Sequence, residues 1–125
     1  DLSDATFYAV LVNAKFTDTN MNAAKFDDVN LGDADFNNIN LSNSRFNYLN
    51  LSNAKYTEAK LVGAEFNDVN LGNANFNDVD LANSRFNGVS LRNVEITDAN
   101  TDGMKINGVL VSDLFDAYNS NAQKS

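Results

Sequence analysis

The chain has 125 residues, 43% of them apolar, and carries 17 acidic against 9 basic residues for a net charge of −8. That describes one domain with material for a continuous core, no apolar run of membrane-spanning length, and a charge that repels nucleic-acid phosphates, which clustered Lys and Arg would be needed to bind. Cysteine and histidine are both absent, which excludes a disulfide framework, a thiolate zinc site and the commonest general base and metal ligand. There is no signal-peptide pattern, so a bacterial cytoplasmic location is expected.

Residues 1–10 stand outside any regular frame. Leu2 and Phe7 are five apart, but Phe7 and Leu11 only four. This slip predicts an irregular N-terminal coil or cap.

From Leu11 a large apolar residue returns at every fifth position: Leu11, Phe16, Met21, Phe26, Leu31, Phe36 and onward to Ile96, then Thr101, Ile106 and Val111, with the threonine the one lapse. A period of five is neither the 3.6 of a helix nor the 2 of a long strand. It suits a short extended piece followed by a corner. In the twenty pentads from Leu11 to Ile106, the position two after the centre is Asn, Asp or Gly in seventeen; Ala23, Tyr48 and Glu58 are the exceptions. Asn, Asp and Gly tolerate the left-handed backbone of a tight turn, and Asx side chains hydrogen-bond it locally. Aromatic and aliphatic centres alternate, with Ala or Ser two residues before Phe (Ala24, Ala34, Ser44) and mostly larger residues before Leu (Val29, Ile39, Leu49). This large–small complementarity is what close packing of a narrow interior requires. Four sides, or twenty residues per coil, would stack Phe on Phe and Leu on Leu.

Near the end, Ile96, Thr101 and Ile106 replace the expected centres and Met104 fills a small-residue position, as the terminal repeats of solenoids commonly do. Residues 112–119 read as a short helix: Ser112 is a good N-cap, Asp113 and Asp116 suit the positive end of the dipole, and Leu114, Phe115 and Tyr118 form an apolar stripe. Its simplest role is to cap the open coil end. Residues 120–125 read as a disordered tail.

The grammar of Ala24–Asp33, Ala-Lys-Phe-Asp-Asp followed by Val-Asn-Leu-Gly-Asp, resembles the pentapeptide-repeat family, and the match covers roughly residues 9–111. The resemblance implies an all-β fold, a right-handed quadrilateral parallel β-helix of about five coils over residues 11–111 with a short C-terminal α-helix. In several members the C-terminal segment makes a homodimer contact, so Leu114, Phe115 and Tyr118 are candidates either for a cap or for a dimer interface. Acidic members of the Qnr and MfpA type are thought to resemble B-form DNA and to bind DNA gyrase. This chain is shorter, and its pentad frame is uninterrupted after Leu11. Two functions therefore stand: an interaction or scaffold module for an unidentified protein partner, and a DNA-mimicking gyrase binder.

Chemistry finds little purchase. Asp33/Asp35 and Asp78/Asp80 resemble the start of a calcium loop but lack its glycine at position six and glutamate at position twelve. No metal, cofactor or catalytic residue is expected, and a core filled by Phe and Leu predicts no substrate pocket. Tyr56, the one phenol at a core centre, is expected to give its hydroxyl a backbone partner. Reading every twentieth residue as one column, the face centred on Phe16, Phe36, Tyr56, Phe76 and Ile96 carries Asp18, Asp35, Glu58, Asp78, Glu95 and Asp98 against Lys15 and Lys55, a net of −4. The face centred on Phe26 through Ile106 is neutral, with Arg45, Glu65 and Arg85 in one column. The acidic face is either a partner-binding surface or solvated turn chemistry, and Glu58 is the one member of its corner column that turn chemistry leaves unexplained.

Overall fold

A computed structural model describes residues 1–7 and 11–123. The coil is built from two kinds of side. Each Leu-centred pentad makes a turn closed by an i+3 to i hydrogen bond: Ala34 N–H donates to Leu31 O at 3.0 Å and Ala64 N–H to Leu61 O at 3.0 Å. The third residue of these turns has positive φ, 60° at Asp33 and 71° at Gly63, the type II pattern. The residue before the leucine reinforces the turn. Asn30 Oδ1 accepts from Gly32 N–H at 3.0 Å, Asn70 Oδ1 from Gly72 N–H at 2.9 Å and Asp80 Oδ1 from Ala82 N–H at 3.1 Å, each an Asx turn.

Phe-centred pentads extend instead. They give β1 (Thr6–Phe7), β2 (Lys15–Thr17), β3 (Lys25–Asp27), β4 (Asp35–Asn40), β5 (Arg45–Asn50), β6 (Lys55–Lys60), β7 (Glu65–Asn70), β8 (Asn75–Asp80), β9 (Arg85–Asn87), β10 (Glu95–Asn100) and β11 (Lys105–Ile106), followed by β12 (Val109–Leu110) and α1 (Val111–Gln123). Even-numbered strands from β2 to β10 form a five-stranded sheet; β1 and the odd-numbered strands form a second, ended by β12. From β2 to β11 every pairing is parallel with partners twenty residues apart, as in Phe26–Phe46–Phe66. The chain is therefore a right-handed square β-helix of about five coils, with the two sheets on opposite sides and the Leu turns between them.

The core is a continuous column of buried side chains. Phe26, Phe36, Phe46, Tyr56, Phe66 and Phe76 are fully buried, as are Leu31 to Leu81 at the turn centres. Along each sheet the rings stack flat: Phe46 on Phe66 at 4.6 Å and Phe66 on Phe86 at 4.5 Å. Across the interior they meet edge to face, as Phe26 meets Phe36 at 6.3 Å. All twenty corner positions from Asn13 to Gly108 have positive φ, including the exceptions Ala23, Tyr48 and Glu58.

Both ends depart from the sequence reading. Residues 2–7 keep the coil's ladder: Leu2 N–H donates to Asn20 O at 2.7 Å, Asp4 N–H to Asn22 O at 2.9 Å, and β1 pairs with β3. Phe7 faces Phe26, an offset of nineteen, so the residue lost in the frame slip shortens this coil without unseating it. The slip itself falls across residues 8–10, outside the described residues. At the other end the rungs stop at β11. Asn107 (φ 50°) and Gly108 (φ 82°) form a two-residue hairpin, the type I′ signature, and β12 returns antiparallel to β11. Val111, expected as the last centre, begins α1, and the helix runs through Gln123, past the expected end at 119; residues 124–125 of the expected tail lie outside the described residues.

Candidate functional site

The five-stranded sheet carries a shallow open groove of about 890 Å³ along its outer face. One wall is the corner column Asp18–Asn38–Glu58–Asp78–Asp98; the other is Asn20–Asn40–Lys60–Asp80–Asn100, with Ile39, Ala59 and Val79 between them. These residues stand in register because the strands do: Lys60 faces Asn40 and Asp80, while Thr57 and Ala59 bracket Glu58 against Asn37 and Ile39 below and Asn77 and Val79 above. Rungs ~4.8 Å apart put the carboxylates of Glu58, Asp78 and Asp98 in file. Like charges so placed repel. Amides relieve this at one end, where Asn38 Nδ2 donates to Asp18 Oδ1 at 2.7 Å and Asn40 Nδ2 to Asn20 Oδ1 at 3.3 Å.

Four of the six expected acidic residues, Asp18, Glu58, Asp78 and Asp98, meet in this groove. Asp35 and Glu95 do not. They lie in register with Lys15, Lys55 and Asn75, on the far side of the Phe centres, in a column of mixed sign. Lys60 and Asp80 each precede a Leu centre, and they reach the groove wall because β6 and β8 continue past the corner.

Glu58 and Lys60 break the repeat's structural rules in the same rung. Glu58 holds φ at 50° without being Asn, Asp or Gly, and Lys60 occupies the position where Asn20, Asn40, Asp80 and Asn100 accept the hydrogen bond of an Asx turn. Tyr48, with φ of 56° and two-thirds exposed, is a third departure, on the opposite sheet. On that sheet the expected charge ladder is present in register, and Arg45 Nε approaches Glu65 Oε2 at 4.0 Å, an exposed pair of little energetic weight.

At the C-terminal end α1 lies against the last coil without filling it. Leu114, Phe115 and Tyr118 are 47%, 59% and 70% exposed, and with Ile96, Ala99, Met104 and Val111 they border an apolar cavity of about 630 Å³. The plug expected from the stripe is therefore incomplete. Inside the coil, Tyr56 is fully buried and, contrary to expectation, its hydroxyl has no hydrogen-bond partner among the described residues; the same holds for the Ser44 and Ser84 hydroxyls. Burial pushes the Tyr56 phenol far above its usual range, so it stays protonated and sealed from any reactant.

With this geometry, the family comparisons are decisive. The model for the pentapeptide repeat region matches residues 40–115, and that for pentapeptide repeats (8 copies) matches residues 1–43. The chain belongs to the pentapeptide-repeat family. Solved structures of the same fold include the pentapeptide-repeat protein Rfr23 from the cyanobacterium Cyanothece 51142, at TM-score 0.51 and 28% identity over 68% of this chain and 62% of that one. HetL from Nostoc sp. strain PCC 7120, involved in heterocyst differentiation regulation, is similar at TM-score 0.51 and 22% identity over 87% and 61% of the two chains. A trypsin-treated QnrB1, a plasmid-mediated fluoroquinolone resistance protein, is similar at TM-score 0.53 and 18% identity over 82% and 57%. The chain thus spans roughly three-fifths of each of these pentapeptide-repeat proteins. No curated protein matches it.

Proposed function

We propose that this pentapeptide-repeat protein is a non-enzymatic binding module that meets a protein partner along the acidic groove of its five-stranded sheet. The observation that carries this reading is the central rung. Elsewhere in the groove the corner and Asx positions are held by residues that the turns themselves require. At Glu58 and Lys60 both requirements are given up together, on one wall each, facing the same space. Local rules of folding are broken where something other than folding selects the residue.

Restoring the repeat separates the two roles. The double change Glu58→Asn and Lys60→Asn returns structural residues to both positions, so thermal stability should rise while partner capture falls. Capture that persists unchanged would show that the rung serves the fold alone.

A second reading rests on the same groove: carboxylates in file along a rod could stand in for a phosphate backbone, with DNA gyrase as the partner. Gyrase supercoiling that is unaffected by a large excess of the protein would remove it. Direct nucleic-acid binding is not part of either reading, given the net charge of −8.

A further inference from the structure

The two sheets end differently at the C-terminal side of the coil. The seven-stranded sheet is closed by β12, which folds back on β11. The five-stranded sheet stops at β10, whose one strand neighbour among the described residues is β8. A six-residue strand with one free edge is a template for another strand. Beside it opens the 630 Å³ apolar cavity, with Ile96 and Ala99 on its β10 side and Leu114, Phe115 and Tyr118 on its helical side. An edge that offers backbone hydrogen bonds next to a pocket for a large side chain combines the two elements of strand-addition recognition.

We propose that the free edge of β10 binds an extended, basic–apolar segment of a partner protein as a parallel sixth rung of the five-stranded sheet. The coil itself specifies what fits. The centre column reads Phe16, Phe36, Tyr56, Phe76, Ile96, so the incoming residue above Ile96 is a large apolar one, entering the cavity. The next column alternates Thr and Asn, and the inward column beyond the corner holds the buried Ile39, Ala59 and Val79 and the half-buried Ala99, which asks for an aliphatic residue. Glu95 and Asp98 lie on the edge strand, and Asp113 and Asp116 lie on α1. This charge selects a Lys or Arg one residue before the apolar anchor.

The same charge disfavours a second copy of this chain as occupant. Its corresponding free edge is another β10, and laying the two antiparallel would bring Glu95 and Asp98 of one copy against the same acids of the other. Asp98 borders both the edge and the central groove, so the two sites are told apart by Glu58, which lines the groove alone, and by Ile96, which lines the cavity alone.

A fluorescein-labelled peptide Lys-Phe-Thr-Asn-Val-Asn, titrated into the intact protein and followed by anisotropy, tests it. Saturable binding is expected, weakened about tenfold or more when the Phe is replaced by Asp, an energy change of at least ~1.4 kcal/mol. In the strands the amide just before each centre donates to the preceding rung, as Glu95 N–H does to Ala74 O at 3.1 Å and Arg85 N–H to Ala64 O at 3.0 Å. A peptide N-methylated at its first and third amides should therefore fail to bind, although its side chains are unchanged. Ile96→Lys should abolish binding, and Glu58→Lys should leave it intact; the methylated peptide repeats the test on unaltered protein should Ile96→Lys loosen the last coil. Equal binding of the methylated peptide, or no binding of the parent, overturns the proposal. So does sedimentation showing a dimer that Ile96→Lys dissociates, since the β10 edge and its cavity would then belong to a second copy.

Discussion

Tyr56 lies flat on Phe76, with ring centroids 4.6 Å apart and planes 1° from parallel, yet its hydroxyl is buried without a partner. The ring is thus held as a phenylalanine would be, and the oxygen bears the cost of lost hydration. Tyr56→Phe should stabilise the protein by about 1–3 kcal/mol, the cost of an unsatisfied buried polar group, measured by urea denaturation. The same residue sets an alkaline limit. Its folded-state pKa is raised, so its unfolded form alone ionises as the pH passes about 10, and stability present below that pH is lost above it. Tyr56→Phe should remove this part of the alkaline loss.

Phe66 tests the stack. It is fully buried between Phe46 and Phe86, in a column that cannot collapse without breaking rungs on both sides. Phe66→Ala should cost ~3–5 kcal/mol, read as a shift in the urea midpoint. A loss under ~1 kcal/mol would mean that the interior is not the close-packed column described.

The corners give predictions of opposite sign. At Gly88, with φ of 63°, an added Cβ would lie 2.6 Å from Asp68 Oδ1, so Gly88→Ala should destabilise by more than the ~1 kcal/mol that positive φ alone costs an L-residue. Tyr48 already bears that cost at φ of 56°. Tyr48→Asn should raise stability by about 1 kcal/mol. Thermal melts of the two variants beside the parent decide both.

These contrasts show what the sequence makes legible. The five-residue period, the Phe–Leu alternation and the Asx corners follow from packing and turn chemistry, which are local and repeat, so a coil of four sides fits the alternation and seventeen of the twenty corners are legible in residue type, while Ala23, Tyr48 and Glu58 take the same conformation without signalling it. What escaped reading depends on where the chain leaves the repeat. Asn107-Gly108 is a hairpin turn hidden in a frame whose corners also favour Asn and Gly, so the rungs were carried on to Val111. The frame slip after Phe7 reads in sequence as an irregular coil or cap, yet Phe7 keeps its rung at an offset of nineteen from Phe26, because a slip in sequence need not be a slip in space. For the candidate site, spacing identified the acidic corner column and Glu58 but did not bring in Lys60 and Asp80, since a period cannot show that β6 and β8 run past the corner. Tyr56 is also expected from sequence to find a hydrogen-bond partner, which none of the groups around its hydroxyl supplies among the described residues.

Salt should separate electrostatic strain from function in the groove. The file of Glu58, Asp78 and Asp98 is solvent-exposed and therefore screened at ionic strengths where the Debye length falls below the rung-to-rung reach. Melting temperature should rise between low and moderate NaCl for the parent protein and rise less for Glu58→Asn, which breaks the file. An equal response in both would place the repulsion elsewhere.

The central claim is that one face of the rod, and not its overall acidity, carries binding. Three immobilised baits test it in a lysate of the source organism: the parent, a variant with Glu58, Asp78 and Asp98 changed to Lys, and a control with Asp27, Asp28 and Asp68 on the opposite sheet changed to Lys, which shifts net charge equally. The parent and the control should retain the same proteins, and the groove variant should lose them. Identical capture by all three baits, or equal loss from both charge variants, would contradict the account.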